Sequence, residues 1–145
     1  MGNEKNKIVR ALTVQQPWAW ALLERKYPYV FEPFAPRIRG YFLLHSGIAY
    51  DWDAHQWFAE HIEEPPFYLR KAQILGYARL TMVMLKPLIT PSPPMESNEF
   101  AFRITDPHRF LLPQVAAGRR GFWKVPRRML KELKIPLYVR MGLLS

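Results

Sequence analysis

A short segment near the N-terminus, Gln15-Gln16-Pro17-Trp18, combines side chains that can recognise a nucleotide. The two glutamine amides can hydrogen-bond to the edge of a base, and the Trp18 ring offers a flat face for stacking. Pro17 favours a helix start, whose free backbone N–H groups suit a phosphate. The alternative is that Trp18 and Trp20 pack in the core while the glutamines satisfy backbone groups of the turn.

Basic side chains supply the second half of such a site. The chain carries 21 Lys and Arg against 12 Asp and Glu, a net charge of +9, which favours a polyanionic partner. From Arg119 to the C-terminus Glu132 is the single acid, which indicates a basic face. In the turn Gly118-Arg119-Arg120-Gly121, glycines let the backbone approach a ligand that the arginines flank. An ordinary basic surface with a simple hairpin is the alternative.

Histidines are the remaining candidates for chemistry. His45 ends an apolar run that follows Arg37 and Arg39, so it is a candidate to contact a base or to act as general acid or base in a ribonuclease. A histidine buried in the core or at the rim is the alternative. His55 and His61 are not spaced as two ligands on one helical face, so we expect no metal site. Without a P-loop or dinucleotide fingerprint, we expect no cofactor.

Several strands and a few helices must position these side chains. Apolar and alternating runs predict strands at 11–14, 40–45, 73–85, 99–105 and 121–125, with a closing strand at 137–141. Proline boundaries and helical periodicity predict helices at 17–26, 51–63 and 127–133. Gly76 indicates a bulge or a close backbone approach within its strand. The proline- and serine-rich stretch 87–97 predicts a loop.

This pattern predicts one α+β domain over residues 11–145, a small β-barrel with a few flanking helices, after a disordered or frayed tail at 1–10. No apolar run approaches the roughly 18 residues of a membrane span, and the first residues lack the apolar stretch of a secretory signal. We therefore expect a cytoplasmic protein with no membrane partner. The absence of cysteine excludes disulfides and thiolate catalysis.

Four segments in order resemble the ASCH domain, a branch of the PUA-like β-barrel superfamily. They are the run from Ala11 to Trp20, Arg37-Ile-Arg-Gly40 with the strand to His45, Ile74 to Leu80, and Phe100 to Trp123. The resemblance covers roughly residues 11 to 126. It implies a PUA-like β-barrel with a cleft beside the first helix, and a role on RNA, single-stranded DNA or a modified nucleoside.

The chain departs from that family where hydrolysis would need its groups. ASCH domains commonly carry G-x-K-x-x-E-x-R after the first helix, and the ungapped match places Tyr27, Val30 and Glu32 at the lysine, glutamate and arginine. A gap recovers Lys26 and Glu32 but no following arginine. Arg79 fills a second acidic position. Since hydrolysis needs a placed proton-transfer group and binding does not, binding is favoured over an enzyme.

The sequence therefore predicts a nucleic-acid-binding module for RNA or single-stranded DNA, acting through a basic cleft with aromatic stacking. Its predicted binding residues are Gln15, Gln16, Trp18, Arg37, Arg39, Arg79, Arg119, Arg120 and Trp123. One alternative is an ASCH-type hydrolase, a ribonuclease or acetylcytidine amidohydrolase, using Lys26, Glu32 and His45. The other alternative is a basic protein-interaction module. RNA against DNA, base preference and oligomeric state stay open.

Overall fold

A six-stranded mixed sheet with four short α-helices forms the α+β fold of the computed structural model, which describes residues 7–94 and 98–145. The strands are β1 (Arg10–Gln16), β2 (Tyr29–Glu32), β3 (Gly40–Tyr50), β4 (Gln73–Leu85), β5 (Phe100–Val115) and β6 (Phe122–Lys124). The helices are α1 (Trp18–Leu23), α2 (Trp52–His61), α3 (Arg127–Leu130) and α4 (Leu137–Met141), with a 3₁₀ turn at Lys86–Leu88. None of the described helices is long and apolar enough to cross a membrane.

The sheet is curled but open. Its strand order is β2-β5-β4-β3-β1-β6, with β1 parallel to β3 and the other neighbours antiparallel. Phe122 of the edge strand β6 stacks 6.2 Å from Phe102 of β5 and lies 6.4 Å from Phe34, beyond β2. Within the described residues no ladder joins β2 to β6. The edges approach through side chains only, so a closed barrel is not confirmed.

Side chains alternate between two buried layers on the faces of the sheet. Leu12 and Val14 of β1 point to the layer that α1 and α2 cover, where Phe58 of α2 packs. Ala11 joins the opposite layer, closed by Val139 of α4 and the rest of the C-terminal segment. Thr13 and Gln15 share the Ala11 side of β1 by the same alternation. The side chains of Thr13 and Gln15 therefore point away from Leu12 and Val14.

Most predicted elements overlap observed ones, and the exceptions have local causes. The predicted closing strand at 137–141 is wrong, because Pro136 precedes the helix α4 with a φ of −61°. Strand β2 was not predicted, since prolines flank its four residues. The prediction for Gly76 is confirmed: the ladder shifts there, and a Cβ would collide with the carbonyl oxygen of His108.

Two regions that were predicted to be irregular, the tail at 1–10 and the loop at 87–97, lie partly outside the described residues. Residues 1–6 of the predicted tail are not described, whereas Val9 is buried and Arg10 begins β1. Residues 95–97 of the predicted loop are not described either, and the described part of that stretch is irregular after the 3₁₀ turn.

Candidate functional site

A cleft lies between the end of β1, strand β2 and the loop 118–121. It has two compartments, of about 620 Å³ and about 230 Å³, which share Thr13, Gln15 and Glu32. The larger compartment adds Phe34, His45 and Gly118 to Gly121, and the smaller one adds Trp18, Asp51 and Asn98. Elements distant in the sequence therefore meet at one concave surface beside α1.

Gln15 and Gln16 have opposite roles because neighbouring side chains in a strand point to opposite faces. Gln15 is exposed and lines both compartments. Gln16 is 2% exposed; its Oε1 accepts from the Trp20 N–H at 2.9 Å and its Nε2 donates to the Arg70 carbonyl at 3.0 Å. Gln16 thus caps α1 and is not available to a ligand, which corrects its predicted binding role.

Trp18 is a core residue with one edge at the smaller compartment. It is 5% exposed, its ring meets Phe58 and Phe31 edge to face at 5.2 and 5.7 Å, and its Nε1 donates to Asp51 at 2.9 Å. A base therefore has no open Trp18 face on which to stack. The predicted stacking by Trp18 is wrong, and the first turn of α1 is partly satisfied by Gln16, so it is a poor phosphate site.

Glu32 contributes a carboxyl to both compartments of the cleft. Its partly buried carboxyl ends β2, opposite Phe100 of β5. Burial raises its pKa from 4.5 to about 7, because removing a carboxylate from water disfavours its charged form. At neutral pH the carboxyl is therefore present in both forms, one of which can donate a hydrogen bond.

The loop 118–121 lies directly against β1 and β3. A Cβ on Gly118 would stand 2.7 Å from Thr13 Oγ1 and 2.8 Å from His45 Cε1, and Gly121 has a φ of +65°. Glycine is therefore required for this close approach. It brings the exposed Arg119 and Arg120 to the rim of the larger compartment.

His45 and Trp123 form a hydrogen-bonded support beneath that loop. The Trp123 indole N–H donates to Thr13 Oγ1 at 2.9 Å, Thr13 Oγ1 lies 3.0 Å from His45 Nδ1, and His45 Nε2 donates to the Ala116 carbonyl at 2.5 Å. His45 is 1% exposed and burial lowers its pKa, which favours the neutral ring. With both ring nitrogens engaged, His45 is a supporting residue, and Trp123, at 7% exposure, has no face for a base.

The remaining predicted residues do not line the cleft. Arg37 and Arg39 are exposed between β2 and β3, and the Arg39 guanidinium donates to the carbonyls of Pro36 and Ile38. Arg79 lies over the Tyr41 ring, 5.9 Å from its centroid.

Lys26, the third proposed catalytic residue, is also outside the cleft. Its Nζ pairs with Glu63 at 3.0 Å, beyond the end of α1. The three proposed catalytic residues are thus separated: Glu32 and His45 line the larger compartment and Lys26 does not. No cluster of three or more His, Asp or Glu in the described ranges could hold a metal ion.

Sequence reasoning missed other lining residues, among them Thr13, Phe34 and Asp51. Thr13 could have been predicted, since a residue two positions before Gln15 in a strand lies on the same face as Gln15. Asp51 caps α2 by accepting from the Ala54 N–H at 3.0 Å. Its place in the cleft depends on contacts between distant segments, which a local pattern does not reveal.

A scan against protein-family models finds no match for this chain. A search of the curated proteins also finds no significant match. The resemblance to the ASCH domain therefore stays a prediction, and the function must be argued from the cleft itself.

Proposed function

We propose that the protein binds RNA or single-stranded DNA by placing one unpaired nucleotide in the cleft, with its phosphate at Arg119 and Arg120. The observation that carries this proposal is the meeting of two exposed arginines with Gln15 and Glu32 in one compartment. Its volume, about 620 Å³, falls in the range of about 300–1,000 Å³ typical of small-ligand sites.

Two unpaired polar side chains support recognition of a base edge. Among the described residues, neither the Gln15 amide nor the Glu32 carboxyl has a hydrogen-bond partner, although both line the cleft. An amide and a protonatable carboxyl can each pair with donors and acceptors of a base, and polar groups at a site edge favour a ligand that satisfies them.

Stacking has a smaller part in this site than the sequence predicted. Phe34 is the half-buried aromatic ring of the larger compartment, and it already packs edge-on against Phe102 at 5.4 Å. We therefore assign recognition in the cleft mainly to hydrogen bonds and charge. The proposal agrees with the resemblance to the ASCH domain. As part of it we also propose a PUA-like fold and a cytoplasmic location, both of which were expected from the sequence.

The test compares two double variants that remove the same charge. R119A/R120A removes the cleft arginines, whereas R37A/R39A removes two exposed arginines outside the cleft. Because a hydrogen bond to a charged group contributes about 1.5–3 kcal/mol, we expect R119A/R120A to weaken binding of a fluorescent five-nucleotide RNA or DNA by at least about tenfold. Equal loss in both variants, measured by fluorescence anisotropy, would contradict the cleft.

The pKa of Glu32 favours a second candidate, a hydrolase. A carboxyl that titrates near pH 7 in a cleft is suited to general acid or base work. Lys26 cannot assist it from its pair with Glu63, so Glu32 would act on a bound water. Incubation with acetylated cytidine and with short RNA separates the two: turnover that disappears in Glu32→Gln supports the hydrolase, and no turnover supports a binding module.

A further inference from the structure

A second concave surface, here called the aromatic groove, lies beside the start of α2. Its volume is about 870 Å³. Its ring-bearing and charged lining residues are Tyr50, Trp52, His55, Phe67, Tyr68, Lys71 and Glu64. No residue predicted from the sequence to bind nucleic acid belongs to it.

Large rings are unusually exposed in this groove. Trp52 is 68% exposed, Tyr68 is 74% exposed and Phe67 is fully exposed. The other four tryptophans of the chain are all buried, at 8% exposure or less. Clustered exposed aromatic side chains mark interaction sites, because they leave apolar surface in water until a partner covers it.

The rings are held in place from one side. The Trp52 ring lies 4.5 Å from that of Tyr50, whose hydroxyl is 2.7 Å from Nδ1 of His55. The Lys71 ammonium stands 5.5 Å from the Tyr50 ring centroid. This arrangement orders the platform before any ligand arrives and leaves most of the Trp52 surface accessible, which reduces the entropy lost on binding.

One stretch of chain, residues 47–52, contributes to both the cleft and the aromatic groove, although the two surfaces share no lining residue. Residues 47–49 of β3 line the larger compartment, Asp51 lines the smaller one, and Tyr50 and Trp52 line the groove. Consecutive Cα atoms are about 3.8 Å apart, so the residues that line the two surfaces are close neighbours on the backbone. The groove offers flat rings and one lysine beside a single lining acid, Glu64.

We propose that the aromatic groove stacks further bases of the same single strand whose first nucleotide occupies the cleft. This inference rests on the proposed function and extends its footprint from one nucleotide to several. Rings that stack on any base add affinity without sequence preference, whereas Gln15 and Glu32 of the cleft would read one base edge. Trp52 and Tyr68 supply the stacking faces, and Lys71 supplies charge for the backbone.

The test varies strand length in the full chain. We expect Trp52→Ala to weaken binding of a ten-nucleotide single strand by about 5- to 100-fold, as expected for a lost stacking contact, and to leave binding of a mononucleotide unchanged. Leu111→Ala, which removes another exposed apolar side chain, 92% exposed and outside both sites, should change neither affinity. Unchanged affinity of Trp52→Ala for the ten-nucleotide strand overturns the inference.

Fluorescence gives a second readout, because Trp52 is the exposed tryptophan. A ten-nucleotide strand should shield it from acrylamide quenching, and a mononucleotide should not. If R119A/R120A binds like the wild type while Trp52→Ala weakens long strands, the cleft proposal fails and the groove stands. If a proline-rich peptide shields Trp52 and oligonucleotides do not, the groove is a peptide site and the inference is wrong.

Discussion

Replacing Glu32 with glutamine should make the protein more stable at high pH and hardly change it at low pH. Burial raises the pKa of Glu32 from 4.5 to about 7 in the folded state, while the unfolded chain keeps the ordinary value. Between those two values the folded protein holds a proton that the unfolded chain has released. The free energy of unfolding therefore falls as the pH rises through this window, and it stays low above about pH 7.

The size of the effect follows from the same two values. A difference of one pH unit in pKa corresponds to about 1.36 kcal/mol, so the rise to about 7 corresponds to about 3 kcal/mol. The carboxyl is partly accessible, and solvent reduces the figure, which makes it an upper bound. Glutamine keeps the shape of the side chain and has no charge to bury.

Urea unfolding at about pH 4 and about pH 8 measures this effect. We expect the difference in the free energy of unfolding between Glu32→Gln and the wild type to increase by up to about 3 kcal/mol from the lower pH to the higher pH. Glu132→Gln, which changes an exposed glutamate, is the matched control and should follow the wild type. A gain of the same size in both variants, or none in Glu32→Gln, would refute the assignment of a buried carboxyl to the cleft.

Two further predictions concern the walls of the cleft. Gly118→Ala should cost about 1–3 kcal/mol of stability and weaken oligonucleotide binding, because its Cβ would stand 2.7 Å from Thr13, whereas at Gly47 the nearest contact is an ordinary 3.4 Å. Chemical unfolding of Gly118→Ala against Gly47→Ala checks the stability, and equal losses would contradict it. Anisotropy of Gly118→Ala against the wild type checks the binding. Because the Trp18 ring is buried, Trp18→Ala should lose about 3–5 kcal/mol of stability. Normal stability together with weakened binding would instead show that Trp18 is a binding residue.

Local patterns predicted much of the fold. Alternation placed the strands, Pro17 marked the start of α1, and Gly76 marked the irregular point in β4. The strand predicted at 11–14 in fact continues to Gln16, so Gln16 is buried like Leu12 and Val14, whereas Gln15 is exposed.

The arrangement of the site depended on distant contacts, which local patterns do not contain. Charge composition predicted a basic face, yet it cannot say that Arg119 reaches the cleft while Arg79 packs over Tyr41. Arg119 lies at the cleft because the adjacent Gly118 packs closely against Thr13 and His45. The exposure of Trp52, alone among the tryptophans, likewise follows from packing that leaves the start of α2 uncovered.

The salt dependence of single-strand binding tests the central claim most directly. Each phosphate neutralised on a single strand contributes about 0.7 to the slope of log affinity against log salt concentration. If Arg119 and Arg120 together hold one phosphate, R119A/R120A should reduce the magnitude of that slope by about 0.7, while R37A/R39A leaves it unchanged. An unchanged slope in R119A/R120A would show that no phosphate lies at the cleft.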